Sequence, residues 1–494
     1  MLNDDYDYDL IVAGGGPAGT TLATLVAMQN HRVLLLEREA FPRYQIGESL
    51  LPSTIHGVCR LLGISSVIEN AGFPKKFGGT FRWGKNKEPW SFSFDAAPSI
   101  GKARGYAYQV ERAKFDQILL DNARHKGVQV VEEAAVTDLI EQDGRVTGVR
   151  YLHRKESELT ATAAFVADAT GNQSRLAQRV GKREYSQFFQ NVALFGYYEN
   201  GKRLPPPNEG NIVVVSFGEG WFWYIPLSKT LTSVGAVIAK EHAGRLNQGH
   251  EAAMEYFISS CPMIQDYLAQ ARRVTEGIYG AFRVRKDYSY SNSRFWIPGM
   301  VLIGDAACFI DPIFSSGVHL GTHAALMAAR SINTILAGEL SEERCFEEFE
   351  RRYRREFGNF YQFLIAFYDT NQDESSYFWT ARKVLNTSER SNDAFIRLVA
   401  GVSSDSSGVA EDFFRERENL GRVFAAKDVY LGEKDSERAS GSAAGTSFSM
   451  DEFISEMSQI QRQAELGADS APEDALFENG LIPTADGFRW MEPV

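Results

Sequence analysis

The segment that most limits what this chain can become is the turn GGGPAG, Gly14 to Gly19, which joins two apolar runs. Residues 8–13, YDLIVA, read as a buried strand, and TTLATLVA after the turn reads as a helix. Gly14, Gly16 and Gly19 fall at the spacing G-x-G-x-x-G. In that spacing the first glycine permits a tight turn, the second lets backbone approach a pyrophosphate, and the third lets helix pack closely on strand. The N–H groups opening the helix lack partners and suit phosphate oxygens. A second apolar strand, RVLLLE, ends at Glu37, placed to accept hydrogen bonds from a ribose hydroxyl. A glycine-rich turn with no ligand is the plainer reading, and the order strand, turn, helix, strand, glutamate argues against it. The expected fold class is α/β with a Rossmann-like dinucleotide domain.

At 494 residues the chain is too long for one simple core. The dinucleotide domain reads as interleaved, residues 1–190 together with 275–340. Between them, residues 191–274 carry NVALFGYYENG, NIVVVSFGEGWFWYIPL and TSVGAVIAKE, separated by Gly/Pro/Asn-rich turns. Such a pattern predicts an antiparallel sheet covering the cofactor. Residues 341–432 read as helical, with Phe357, Tyr361, Leu364 and Phe367 on one packing stripe. Residues 433–448 are Ser/Ala/Gly-rich and predict a flexible linker. Residues 449–494 predict a helix capped by Ser449 and a tail whose Phe488 and Trp490 are expected to fold back over a substrate opening.

The formal charge of −12 argues against a nucleic-acid partner, which needs a basic face. The basic cluster RRYRRE, Arg351 to Glu356, reads as a solvated helix face, with a docking patch for an acidic carrier protein as the less favoured alternative. Cys59, Cys261, Cys308 and Cys345 are scattered, with no metal or redox spacing. His319 and His323, four apart, lack a third ligand nearby and read as ordinary helix residues. No basic leader precedes the first strand, and no apolar run reaches the ~18 residues of a membrane span. A cytoplasmic protein without metal is expected.

The run GWFWYIPL contains Trp221 and Trp223 in the pattern W-x-W-x-I-P. Large residues alternating at period two are commonly just core. Four further segments change the weighing: IGESLLPST (46–54), PKKFGGTFRWG (74–84), VADATG (166–171) and VLIGDAACFIDPIFSSGVHL (301–320). With these in place the chain, from residue 8 to about 400, resembles the flavin-dependent halogenases of the phenol and pyrrole type, which belong to the p-hydroxybenzoate hydroxylase superfamily.

That resemblance implies FAD as cofactor, supplied reduced as FADH2 by a partner flavin reductase, with O₂ and chloride or bromide as co-substrates. It assigns Asp168 and Asp305 to the dinucleotide and ribityl chain and Arg112 to the FAD phosphates. Ala18, Arg43, Ser49, Pro312 and Val318 are the remaining cofactor contacts it implies. Ser315, Ser316 and Gly317 would form the halide pocket, Ser315 being counted with the catalytic residues. Trp221 and Trp223 would keep an organic substrate off the flavin, so that only halide meets the oxidant. Lys76 would hold or carry the hypohalous acid, while Lys75 would be a surface residue. Burial would favour its neutral, nucleophilic amine. Tryptophan halogenases place a glutamate where this chain has Phe314. That departure points to a ring activated by its own oxygen, such as tyrosine, carried on a peptidyl or acyl carrier protein. The competing expectations are an FAD-dependent aromatic hydroxylase of the same fold, and a flavin reductase or non-catalytic flavoprotein.

Overall fold

The computed structural model describes residues 6–83, 88–96, 102–369, 476–477 and 479–493. The expected linker at 433–448 and the helix beginning at Ser449 lie outside the described residues.

Two sheets organise the chain. The first has the strand order Trp296–Ile297, Met300–Leu302, Ser157–Asp168, Tyr8–Ala13, Val33–Leu36, Gln129–Val131. Its central pairs are parallel, with Ala13 opposite Asp168 on one side and Leu36 on the other. Strands buried on both faces need no polar alternation, which is why LIVA and VLLL are unbroken apolar runs. The helix Pro17–Ala27 follows the first strand directly, and proline at its start costs nothing because that N–H has no helical partner. Ala13, Leu36 and Ile303 all lie at or just past strand ends that open on one cavity, as open α/β sheets place their ligands.

The second sheet has nine strands and forms a roof. Its main order is Cys308–Phe309, Arg283–Asn292, Arg183–Glu199, Leu231–Ala239, Gly220–Pro226, Ile212–Phe217, Gly78–Arg82, Trp90–Ser93. Membership differs from the expected boundaries in three places. Strands from residues 78–93, 183–190 and 283–309 belong to the roof, although the sequence pattern assigned all three regions to the dinucleotide domain. Pairing such as Val213 with Thr80 joins residues more than a hundred positions apart, which no local pattern reveals.

The roof has two different faces. Trp221, Trp223 and Ile225 belong to the core that continues into the dinucleotide domain. Phe222 and Tyr224 point the other way, into a separate cluster under the helices His250–Ser259 and Pro262–Leu268. Period-two alternation in a strand buried on both sides thus serves two cores at once.

The helices Gly317–Leu336 and Glu342–Asp369 pack together behind the dinucleotide sheet. Phe357, Tyr361, Leu364 and Phe367 are buried, as the stripe predicted. The basic cluster is a solvated face only at Arg351, which is exposed. Arg352 donates to the Leu481 carbonyl and lies over Trp490, Arg354 donates to the Asn292 carbonyl, and Arg355 is buried. Arg351, Arg352 and Arg355 hold the returning residues 476–477 and 479–493, through the Phe477 ring and the Leu481 and Leu476 carbonyls. Trp490 is 1% exposed and its indole N–H donates to Ser331 Oγ at 3.0 Å. Ser331 is 14 residues past Gly317, about 20 Å along the helix. The tail is therefore a strap on the far half of that helix and does not gate the cavity.

Candidate active site

A cavity of about 730 Å³ lies between the dinucleotide sheet and the roof. It is lined by Gly14, Gly16, Ala18, Glu37, Arg43, Ser49, Arg112, Asp305, Pro312, Ser315, Gly317 and Val318, and by Trp221 and Trp223 above. Residues drawn from more than three hundred positions of sequence thus meet on one wall.

The fingerprint turn behaves as its spacing requires. Gly14 has φ +107°, a backbone state that side chains resist. A Cβ on Gly19 would sit 1.9 Å from the Gly14 carbonyl oxygen, so Gly19 is buried under the turn and does not itself line the cavity. A Cβ on Gly16 would meet only Arg43 Nη2, at 3.6 Å, and so projects into open space beside a guanidinium. Glu37 accepts hydrogen bonds from the backbone N–H groups of Gly15 and Glu39, and its carboxylate stands on the cavity wall. A dinucleotide fits these groups: a glycine cradle and a guanidinium for the pyrophosphate, a fixed carboxylate for a ribose.

Two cofactor assignments need adjusting. Asp168 does not reach the cavity. One of its oxygens accepts from the Thr170 backbone N–H and hydroxyl, and the other accepts from Ser174. It pins the turn whose next residues, Ala169 to Gly171, do line the wall. Arg112 lines the cavity, yet it is clamped by Asp116 through Nε and Nη2, and its Nη1 donates to the Ile46 carbonyl. Asp116 also holds Arg43 at 3.0 Å. Arg43 is therefore the guanidinium over the fingerprint, and Arg112 fixes the loop that carries Glu48 and Ser49. Asp305 lines the wall and carries a carboxyl pushed up by burial.

At the other end of the cavity, Ser315 adopts a left-handed conformation, φ +60°, immediately before the 20-residue helix Gly317–Leu336. That helix opens with no side-chain cap and no acidic residue in its first turn. Its first N–H groups and the positive end of its dipole therefore favour an anion. Ser316 is fully buried, its hydroxyl has no partner among the described residues, and it is not on the cavity wall. Gly317 is, and a Cβ there would meet no heavy atom within 4 Å.

Trp223 is held by two devices. Its indole N–H donates to Ser233 Oγ at 3.1 Å, and its ring lies where a Cβ on Gly235 would fall 2.2 Å away. Gly235 is a residue that sequence reasoning missed; the signal was the lone glycine inside the strand TSVGAVIA. The Trp221 indole N–H is buried without a partner among the described residues.

Lys76 is 2% exposed, whereas Lys75 beside it is exposed and lies over Tyr106. Two successive residues of the strand Lys75–Lys76 point to opposite sides, which allows one lysine to be buried while the other is exposed. Lys76 Nζ donates to the Leu50 carbonyl at 3.1 Å and lies 5.6 Å from the Phe94 ring centroid. Burial alone pulls its pKa down to about 7, with no acidic side chain opposing that among the described residues. Lys76 is not on the cavity wall. It hangs from the residue after Ser49, which is, so the Ser49–Leu50 backbone separates the amine from the cavity. Phe314 also faces away from the cavity, stacked 4.9 Å from Phe363 and 6.2 Å from Phe81.

His319 bridges Ser53 Oγ and Glu356 Oε1, each at 2.8 Å, inside the core, and the four cysteines are free and buried. No group of three metal-ligating side chains occurs among the described residues, and none of the described helices is long and apolar enough to cross a membrane.

A Rossmann-like sheet, a glycine cradle and a roof of indole over the same cavity define an FAD-dependent flavoprotein. The chain matches the tryptophan halogenase family model over residues 9–104 and 95–439, and it belongs to that family of flavin-dependent halogenases. It is 37% identical to a tryptophan 2-halogenase of Chondromyces crocatus, over 80% of this chain and 75% of that one. It is 30% identical to a 1H-pyrrole-2-carbonyl-[peptidyl-carrier protein] chlorinase of Pseudomonas fluorescens, covering 74% and 85%. Among solved structures, the myxobacterial chondrochloren halogenase shares 54% identity, covers 98% of this chain and 99% of its own, and superposes with a TM-score of 0.75. The hydroxylase and the non-catalytic flavoprotein expectations therefore give way to a halogenase using FADH2, O₂ and halide.

Proposed function

We propose that this halogenase chlorinates a phenolic ring such as tyrosine, ortho to the hydroxyl, while the ring is carried on a peptidyl or acyl carrier protein. The observation that carries the reading is Phe314, whose ring is packed against Phe363 and Phe81 in a position where tryptophan halogenases have a glutamate. A phenol supplies its own electron push as its proton leaves, so it needs no carboxylate there. The relative acting on a carrier-bound pyrrole supports a tethered substrate.

In this reading reduced FAD and O₂ supply the oxidising power, and halide enters at the Ser315–Gly317 end. Trp221 and Trp223 bar the ring from the flavin. Lys76, neutral in a useful fraction near pH 7, takes the halogen of hypohalous acid: an N–halogen bond forms, the O–halogen bond breaks, and water leaves. A partner flavin reductase provides FADH2. Bromide is the alternative halide, since a flavin-dependent brominase of 25% identity shares the fold with a TM-score of 0.72.

A second reading, free tryptophan as substrate, is favoured by the Chondromyces relative. Mass spectrometry separates them, using a flavin reductase, FAD, NADH and halide with tyrosyl carrier protein, free tyrosine or free tryptophan. Halogen on the carrier-bound phenol with tryptophan inert is the expected result. Efficient chlorination of free tryptophan with no phenol modified would overturn the reading.

A further inference from the structure

We propose that Glu48, Tyr197 and Tyr44 form a proton relay that feeds the flavin cavity from solvent. It rests on the halogenase reaction of the family and not on the phenol reading, so the two can fail separately. Reduced flavin (FADH2), O₂, one halide and one proton give oxidised flavin, hypohalous acid and water. One proton per turnover must therefore enter a cavity roofed by tryptophan.

Glu48 is the carboxyl placed to deliver it. It lines the cavity, is 2% exposed to solvent, and belongs to no ion pair among the described residues. Its Oε1 accepts the Tyr197 hydroxyl at 2.7 Å. Its Oε2 is buried with no hydrogen bond of good geometry, although the Ser233 hydroxyl lies near enough to favour the anion. Ser233 in turn accepts the Trp223 indole N–H, so the roof tryptophan and the carboxyl share one hydroxyl. Tyr197 has a single hydroxyl proton and gives it to Glu48, so at the 2.8 Å contact with Tyr44 the donor is Tyr44. Tyr44 is half-buried yet does not line the cavity, so its open side faces outward. Both donors thus point inward.

The titration of the three groups suits the task. Burial pushes the Glu48 carboxyl up to about 7, while Tyr197, Ser233 and Arg112 favour the anion and Glu111 opposes it. Burial first, and Glu48 next, push both phenols well above their ordinary range, against the pull of Arg283 and Arg285 on Tyr44. Tyr279 beside them is pushed up as well, by burial first and then by Glu111. The tyrosines therefore pass protons without storing charge. When Glu48 gives its O–H proton to the cavity, Tyr197 reprotonates Oε1, Tyr44 reprotonates Tyr197, and water reprotonates Tyr44.

The test uses the full chain with oxidised FAD bound, first without turnover. Infrared difference spectra across a pH titration should show a buried carboxyl with a midpoint near 7 that disappears in Glu48→Gln. After a pH jump, its equilibration should slow at least about tenfold in Tyr44→Phe, which keeps the ring and removes the hydroxyl. With reductase and halide, Glu48→Gln should slow flavin reoxidation by about 100-fold, lose the solvent isotope effect, and bind FAD as before. Persistence of the carboxyl signal in Glu48→Gln would overturn the assignment. Unchanged equilibration in Tyr44→Phe would do so as well, and that variant disturbs no buried charge.

Discussion

The two ends of the flavin cavity are built by opposite means. At the fingerprint end the site is backbone: glycines without Cβ atoms, N–H groups at a helix start, one carboxylate fixed by two backbone donors. At the roof end it is large side chains: Trp223, held by Ser233 and packed on Gly235 of the neighbouring strand, Trp221 beside it, and, behind the Ser49–Leu50 backbone, Lys76 held by the Leu50 carbonyl. Backbone sites tolerate no added atoms. Side-chain sites tolerate substitution in their fold and fail in their chemistry. The contrast says where a variant should lose cofactor and where it should lose only product.

Lys76→Met carries the largest expected effect. Methionine fills a similar volume with no charge, so FAD should remain bound and reduced flavin should still be oxidised, while halogenated product falls at least about 100-fold. Stability should move the other way. The folded pKa of about 7 lies below the ordinary 10.5, so the amine is protonated at a cost when pH is below 7. Between 7 and 10.5 the unfolded chain holds a proton that the folded chain has lost, so stability rises with pH across that window. Lys76→Met should flatten that rise and add a few kcal/mol at neutral pH, read by denaturant titration at pH 6, 8 and 10. A variant that still halogenates at the wild-type rate would remove the amine from the mechanism.

A pair of glycine variants sharpens the comparison. Gly16→Val places methyl groups beside Arg43 Nη2, in the pyrophosphate cradle, and should weaken FAD by about 100-fold in fluorescence titration, roughly 3 kcal/mol. Gly317→Val fills open space at the helix start instead. It should raise the halide concentration needed for turnover by about tenfold and leave FAD affinity nearly unchanged. Equal losses of FAD in both variants would erase the distinction between the two ends.

This contrast also explains what was legible in the sequence. The fingerprint could be read because its geometry is local: Gly14, Gly16, Gly19 and Glu37 are all within one strand–turn–helix–strand unit. The choice of Lys76 over Lys75 rests on the family resemblance of PKKFGGTFRWG; strand alternation says only that the two point to opposite sides. Glu48 was passed over inside the motif that holds it, because its partners Tyr197 and Ser233 lie 149 and more residues away. Those two tyrosine and serine positions face each other across neighbouring roof strands, a register no local pattern discloses. Asp168 looked like a ligand because VADATG resembles a family segment that lies near the dinucleotide. Its lone pairs are taken by Thr170 and Ser174, and side-chain direction is not written in spacing. Arg352 and Arg354 looked solvated because their partners, Leu481, Trp490 and Asn292, come from elsewhere in the chain.

The smallest expected effect on chemistry comes from the strap. Trp490 is buried against the second half of the helix that opens at Gly317. It donates its indole N–H to Ser331 and its backbone N–H to Thr334, with Arg330 and Arg352 over its ring. Truncating it to alanine leaves a large void and takes the indole donor from the Ser331 hydroxyl, while the backbone N–H still reaches Thr334, at a cost of roughly 3 kcal/mol. For a chain of this size that is a fall of several degrees in Tm. The helix start, about 20 Å away, rests on its own contacts with Ala18 and the Gly304 turn, so FAD affinity, halide dependence and substrate preference should stay within about twofold of wild type. Had the tail gated the substrate opening, Trp490→Ala would change which ring is halogenated and leave Tm alone. Thermal unfolding followed by flavin fluorescence, beside product ratios on carrier-bound and free phenols, distinguishes a strap from a gate. A shifted product ratio at unchanged Tm would move the tail back to the site.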